Sequence, residues 1–104
     1  MGRWAQRRRG GGDPKSVQGA LLQIEDANIT STTEVTAEYS GEISAAGFSD
    51  GDFTSLNSNE TSISVTQFSA NELVIEFSGT ITGDDQIEYT GTKPGVLTPQ
   101  TVNY

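Results

Sequence analysis

Carboxylates in Gly-rich turns are the side chains of this 104-residue chain best suited to chemistry. They form two close pairs, Asp50/Asp52 and Asp84/Asp85. Two carboxylates can serve as the acid and the base of a glycosidase, and their oxygens are also ligands for calcium. Asp50-Gly51-Asp52 lacks the spaced ligands and the distal Glu of an EF-hand, so as a calcium site it is incomplete. We therefore interpret both pairs as solvated turn acids, and we predict no catalytic residue and no cofactor.

Histidine and cysteine are both absent from the chain. Without Cys there is no disulfide, no thiolate nucleophile and no Cys-ligated metal. Without His there is no Ser-His-Asp triad, no His-based zinc site and no imidazole base near neutral pH. The composition therefore predicts a protein that is not an enzyme.

Charge is unevenly distributed along the chain, whose formal net charge is −8. Residues 1–15 carry +4, from five basic residues and one Asp, whereas residues 16–104 carry −12, from thirteen carboxylates and one Lys. Such an asymmetry is informative about binding partners rather than about fold. We therefore divide the chain into a flexible, basic, Gly-rich arm (1–16) and an acidic body (17–104).

The arm combines one tryptophan with four arginines and a run of glycines. Gly10–Gly12 form a hinge, Pro14 stops any helix from continuing into the body, and the composition predicts disorder for the isolated arm. One interpretation is an unstructured terminus without a role. The other is a docking arm in which Trp4 is a buried anchor and the arginines pair with carboxylates or phosphates. The predicted partner-binding residues are Arg3, Trp4, Arg7, Arg8 and Arg9.

Nucleic acid is a further possible partner for these arginines. Four positive charges would give weak, salt-sensitive binding, and the charge of the body would oppose it. No apolar stretch follows the arginines, so the arm is not expected to be a secretory or twin-arginine signal. No run of 18 apolar residues suggests a membrane span.

The body is rich in Ser and Thr and shows apolar residues at alternate positions, which favours strands over helices. Alternation is clearest at Leu73, Ile75 and Phe77, where the apolar Val74 on the opposite face predicts a central strand. Turn residues separate the runs, at 40–41, 50–51, 57–59, 70–71, 83–85 and 94–95. This spacing predicts about seven strands in an antiparallel β-sandwich. The remaining alternating runs are Ala20/Leu22/Ile24, Val35/Ala37/Tyr39, Ile63/Val65, Ile87/Tyr89 and Val102/Tyr104.

Two segments of the body resemble each other. Residues 34–43 and 72–81 are identical at five of ten positions, and three further positions are apolar in both. Each reads as a strand with an aromatic residue at its end, followed by Ser-Gly, where glycine permits a bulge or a bend. We expect them to be equivalent strands in the two halves of the sandwich.

The order of these motifs resembles the Ig-like repeats of bacterial and archaeal surface proteins (SwmB-type modules). The resemblance covers about residues 27–92 and rests on V-T-A-E-Y-S-G-x-I at 35–43, D-G-D-F at 50–53 and the segment 63–92. It implies an Ig-like β-sandwich with a structural or adhesive role, in a class that also decorates the heads and tails of tailed viruses. The chain departs from surface repeats in being a single copy that begins with a basic arm.

Two functions are consistent with these features. The first is a virion structural protein, a capsid or tail decoration protein assembled in the host cytoplasm and docked by its arm into a homo-oligomeric or larger assembly. The second is a cell-surface adhesion or carbohydrate-binding module, in which the aromatic residues line a binding face. Those residues, which we expect mostly to pack the core, are Tyr39, Phe48, Phe53 and Tyr89.

The excess of carboxylates in the body suggests the hypothesis that the protein is halophilic, with a surface that keeps it soluble in high salt. If it is correct, the thermal unfolding midpoint rises as KCl increases from millimolar to molar, because ions screen the repulsion among the carboxylates. Circular dichroism melting curves over that range test the idea. An unchanged midpoint would remove it.

Overall fold

The structure, a computed structural model, describes residues 21–104, which form seven antiparallel β-strands and contain no helix. Turn and bend residues connect the strands where Gly, Asn and Asp were expected, and Gly51, Asn59, Asp84 and Gly95 there have positive φ. The strands are β1 (Ile24–Ser31), β2 (Glu34–Tyr39), β3 (Phe53–Ser55), β4 (Glu60–Ser69), β5 (Glu72–Phe77), β6 (Gln86–Tyr89) and β7 (Gln100–Asn103).

The strands form one sheet in the order β1-β2-β5-β4-β3-β6-β7, and this sheet curls until it is nearly closed. β5 lies between β2 and β4 from Glu72 to Glu76, as predicted for a central strand. β4 pairs with β5 over most of its length and with β3 only through Glu60 and Thr61. The predicted all-β class and the antiparallel pairing are therefore confirmed.

Side-chain and backbone contacts bring the two ends of the sheet together. Both backbone groups of Ile24 bind the Gln100 amide: the Ile24 N–H donates to Oε1 (2.9 Å), and Nε2 donates to the Ile24 carbonyl (2.8 Å). Just before β1, Leu22 forms a parallel bridge to Val96, with hydrogen bonds to Gly95 and Leu97. These contacts tie β1 to the β7 side, where no regular ladder joins the two strands.

The core lies inside the curled sheet and is formed by inward apolar residues of β1, β2, β3, β5 and β6, with Val65 of β4 and Val102 of β7 packed against it. Strict alternation places three residues of β2 and three of β5 in it, as predicted. The Tyr39 hydroxyl is buried there without a hydrogen-bond partner, and burial raises the pKa of this phenol. The largest buried apolar side chains are Tyr39, Tyr89, Phe53, Phe77, Leu73, Ile75 and Ile87.

Three details of the strand prediction were wrong. Leu22, which was predicted to lie within the first strand, makes only a single bridge, and the first strand of the described residues begins at Ile24. Ala20 lies outside the described residues. The short strand β3 at Phe53 was not predicted, because three residues are too few for alternation to be visible. Ile63 is exposed rather than inward, because it is the extra residue of a β-bulge between Ser62 and Ser64.

The similar segments at 34–43 and 72–81 are not in opposite halves of the fold, contrary to expectation. Their strands β2 and β5 are direct neighbours, paired from Glu34↔Glu76 to Glu38↔Glu72. Their Ser-Gly breaks follow where the strands end, and at Gly79 the nearest neighbour is the terminal carboxylate of the Glu60 side chain. An added Cβ would lie 2.7 Å from a carboxylate oxygen of Glu60.

No helix among residues 21–104 is long and apolar enough to cross a membrane.

Candidate interaction surface

The predicted docking residues Arg3, Trp4, Arg7, Arg8 and Arg9 lie outside the described residues. The structure therefore places none of them. It does define the surface of the body to which an arm of this charge would be exposed, and it places every other candidate residue.

Asp85 is the most completely engaged polar side chain of the body, with 1% of its surface exposed. Its Oδ1 accepts hydrogen bonds from the backbone N–H of Asn57 (2.8 Å) and of Gln86 (2.6 Å). Its Oδ2 accepts from the Ser55 hydroxyl (2.7 Å) and from both the N–H (3.0 Å) and the hydroxyl (2.9 Å) of Ser58. The carboxylate thus joins β3, the 56–59 turn and the start of β6.

The expectation that Asp84 and Asp85 are both solvated was wrong for Asp85. Burial by itself would raise the pKa of this carboxyl, but the amides of Asn57 and Gln86 and two hydroxyls stabilise the charged form more strongly. The net result is a pKa held well below the usual range for Asp. A carboxylate with five donors and a depressed pKa is a poor proton acceptor, so this site is built for structure. Asp84 remains exposed.

The hydroxyls around Asp85 form a chain that reaches the end of the described sequence. Ser55 donates to Asp85, so it can accept from the Tyr104 hydroxyl, 2.6 Å away. The Tyr104 N–H donates to the Asp85 carbonyl (3.0 Å). Burial raises the pKa of Tyr104, which keeps its hydroxyl protonated and able to donate. The residue after β7 is thereby fixed to the same centre.

The two carboxylates of the weak calcium candidate, Asp50 and Asp52, have different surroundings in their turn. Asp52 is half-buried, and its Oδ2 accepts a hydrogen bond from the Ser49 N–H (2.8 Å), whereas Asp50 is exposed. Within residues 21–104, no group of three or more His, Cys, Asp or Glu side chains is arranged to hold a metal ion. Asp52 therefore serves as an acceptor within its turn.

The aromatic residues considered for a carbohydrate-binding face belong to the core. Phe53 and Tyr89 are buried with ring centroids 4.9 Å apart, and Phe48 packs on both at 5.5 Å. Tyr39 is buried as well. Three of the four are buried and Phe48 is half-buried, which confirms the expectation that most of them pack in the core.

The outer face of β1, β2 and β5 carries carboxylates in register. Directly opposite residues of an antiparallel ladder share a face, with Cα atoms about 5 Å apart. Asp26 is opposite Glu38, and Glu38 is opposite Glu72, so three carboxylates form a row across three strands. We call this row, together with the second pair Glu34↔Glu76, the acidic face. Like charges placed opposite one another repel, so cations near this face would lower its electrostatic energy.

The hydrogen-bond partners within the acidic face are neutral. Glu72 accepts from the Ser69 hydroxyl (2.8 Å), and Asp26 accepts from the Asn28 amide (3.2 Å). Lys93 is the one cationic residue between positions 21 and 104, and it lies elsewhere. Its ammonium donates to the Ala46 carbonyl and sits 5.3 Å from the centre of the Phe48 ring. The body therefore supplies no cation to the acidic face.

Exposed apolar side chains flank the acidic face on β4. Phe68 is 65% exposed and Ile63 is 47% exposed. Each is the additional residue of a β-bulge, where the register with β5 shifts, and Phe68 precedes Ser69, the partner of Glu72. Bulges twist a strand and can present a side chain to solvent. The carboxylate row thus ends beside an exposed aromatic ring.

Sequence reasoning did not identify the acidic face, although a signal for it was present. The similar segments place Glu at both ends of the polar face of each strand, and antiparallel pairing then brings Glu34 to Glu76 and Glu38 to Glu72. The bulge at Ile63 had no signal in the sequence, because Ile63 and Val65 keep the apolar alternation. Phe68 lies out of phase with both, and this break in the alternation was a signal for the second bulge.

Comparison of the chain with protein-family models, with curated proteins and with solved structures finds no match.

The Asp85 network predicts that replacing one carboxylate oxygen of this residue strongly lowers the stability of the fold. Asp85→Asn replaces one acceptor oxygen by an NH₂ group facing donors, and we expect it to lower the free energy of unfolding by about 3 kcal/mol at pH 7. Asp84→Asn, at the exposed neighbour, is the matched control and should change stability little. Urea unfolding of both variants at pH 7 measures the difference.

The same network predicts the sign of a pH effect. The folded-state pKa of Asp85 is depressed and the unfolded value is about 3.9. Its stabilisation is therefore complete above about pH 5 and declines as the pH falls below about 4. The gap in unfolding free energy between the wild type and Asp85→Asn should narrow at pH 3. A gap of the same size at pH 7 and pH 3 would contradict the assignment.

Proposed function

We propose that this chain is a non-enzymatic structural protein of a virus particle, a capsid or tail accessory module docked through its basic arm. The observation that carries the proposal is the separation of charge. The body is acidic and its one lysine is engaged internally, so the cations available for a partner lie in the arm. Arg3, Arg7, Arg8 and Arg9 would pair with partner carboxylates while Trp4 fills an apolar pocket.

An Ig-like β-sandwich is the architecture we assign to the body within this proposal. The strand order supports it, since β1, β2, β5 and β4 can form one layer while β3, β6 and β7 form the other. The inward residues of both groups meet in a single apolar core. The bonds between Gln100 and Ile24, together with the Leu22–Val96 bridge, would then join the layers at one edge.

The internal carboxylates support a structural role rather than catalysis. Asp85 and Asp52 both accept hydrogen bonds that fix turns, and Ser55, the hydroxyl nearest to Asp85, is itself fully buried. A nucleophile and its base must reach a substrate, and this arrangement points both groups into the fold. Such a module contributes shape and contact area to an assembly, which is either a homo-oligomer or a larger complex.

Deletion of residues 1–12 tests the docking role. The deletion removes no described residue, so the body should keep its circular dichroism spectrum and unfolding midpoint. It should no longer co-sediment with virus particles grown without the gene for this chain. Trp4→Ala alone should weaken binding roughly thirtyfold, the equivalent of ~2 kcal/mol for an anchor residue.

Replacing the four arginines by lysines is the matched control, because it keeps the charge but removes bidentate pairing. Binding intermediate between the deletion and the wild type is expected. A truncated body that binds particles with full affinity would contradict the docking role, and absence of the chain from purified particles would contradict the virion assignment.

A further inference from the structure

We propose that the body binds a second copy of itself, with the Phe68 ring of one copy seated in an apolar cavity of the next. This cavity, which we call the Ile29 cavity, has a volume of about 290 Å³. The contact involves the body alone, so it does not rest on the docking role proposed for the arm. The residues that line the cavity, all of them uncharged, are Ile29, Thr30, Ser31, Thr32 and Ile81.

Phe68 is the only exposed aromatic side chain among residues 21–104. The other six aromatic residues in this range are buried or half-buried, whereas 65% of the Phe68 surface is exposed. The residue lies in a bulge of β4, and bulges re-aim side chains. The strand already fixes its backbone, so burying the ring in a partner orders only the side chain. Phe68 therefore has the properties of an anchor residue.

The Ile29 cavity lies where the core opens to solvent beside the β1–β2 turn. Ile29 is directly opposite the buried Val35 and shares its inward face, yet it is 38% exposed. Ile81 is buried, and its N–H donates to the Thr32 carbonyl (2.8 Å), which holds the two sides of the cavity together. An apolar cavity of about 150 Å³ is large enough to bind benzene. The Ile29 cavity therefore has room for one phenyl ring.

The ring and the cavity lie at opposite corners of the layer formed by β1, β2, β5 and β4. Because β2 and β5 are antiparallel, the turn that follows β1 and the turn that follows β4 lie at opposite ends of this layer. Ile29 is near the first turn and Phe68 is near the second, three strand spacings or about 14 Å across the sheet. Both residues are held by strands, so the ring cannot enter the cavity of its own molecule. The contact must join two copies.

Charge favours these two surfaces over other contacts between copies. Residues 16–104 of each copy carry −12, so most surfaces of two bodies repel each other. The segments around the ring and the cavity are exceptions, since residues 61–71 and 27–33 contain no charged side chain. A contact between copies through the acidic face would instead oppose carboxylates. An uncharged ring entering an uncharged cavity avoids this cost.

The contact is heterologous, because its two surfaces are different parts of the chain. Each pair of copies keeps one free ring and one free cavity, so repetition gives either a closed ring or an open row of copies. One aromatic anchor buries far less than the roughly 1,000 Å² of a stable interface, so the contact is weak between free molecules. It is strengthened where an assembly holds copies next to each other, because the effective concentration is then high.

Sedimentation velocity of the full chain, from micromolar to millimolar protein, measures the association. We expect the average mass of the wild type to rise with concentration. Phe68→Ala removes the ring and Ile29→Asp places a charge in the cavity, so each variant should remain monomeric. Ile63→Ala is the matched control, because Ile63 is the other exposed apolar residue in a β4 bulge, and it should associate like the wild type. Circular dichroism checks that each variant is folded, and Thr32→Asp replaces Ile29→Asp if that variant unfolds.

Mixing the two deficient variants identifies the contact. Phe68→Ala keeps the cavity and Ile29→Asp keeps the ring, so an equimolar mixture should form dimers and nothing larger. Deletion of residues 1–12 should leave the association unchanged, which separates this contact from docking by the arm. A wild type that is monomeric at every concentration would overturn the proposal, and so would a mixture that stays monomeric. Loss of association in Ile63→Ala would assign the contact to paired β4 edges, and loss on deletion of residues 1–12 would assign it to the arm; either result would overturn it as well.

Discussion

Hydrogen bonds to the buried carboxylate of Asp85 are the interaction on which the rest of the fold most depends. Five donors from β3, the following turn and the start of β6 converge on it, and Tyr104 extends the network past β7. These elements are short, so their order depends on polar contacts as well as on the buried side chains of Phe53, Ile87 and Tyr89. Removing one acceptor would leave several buried donors unpaired at once.

The carboxylates on the outside of the sheet stand in contrast to Asp85. Inside, a negative charge is stabilised by directed donors; on the acidic face, Glu38 and Glu72 are placed opposite each other with neutral partners. Repulsion of this kind is tolerated because the side chains reach solvent and salt screens them. The acidic face is therefore a surface of mutually repelling carboxylates. Apart from Lys93, the basic residues of the chain lie in its first fifteen positions.

The all-β class, the central strand and most turns were predictable because apolar alternation and turn residues are local properties. The pairing of the two similar segments was mispredicted because sequence similarity does not specify which strands are neighbours. The bulge that exposes Ile63 depends on register, and the burial of Asp85 depends on donors up to thirty positions away, so neither was visible locally. The acidic face could have been predicted by pairing the two similar segments with each other as antiparallel strands.

The central claim is that the buried Asp85 carboxylate holds β3, the 56–59 turn and the start of β6 together. Native-state hydrogen exchange of the Asn57, Ser58 and Gln86 amides, which all donate to this carboxylate, measures it most directly. The account predicts that these three amides are protected in the wild type and that Asp85→Asn lowers their protection more than that of the amides of β2 and β5. Equal protection of the three amides in the two proteins would contradict it.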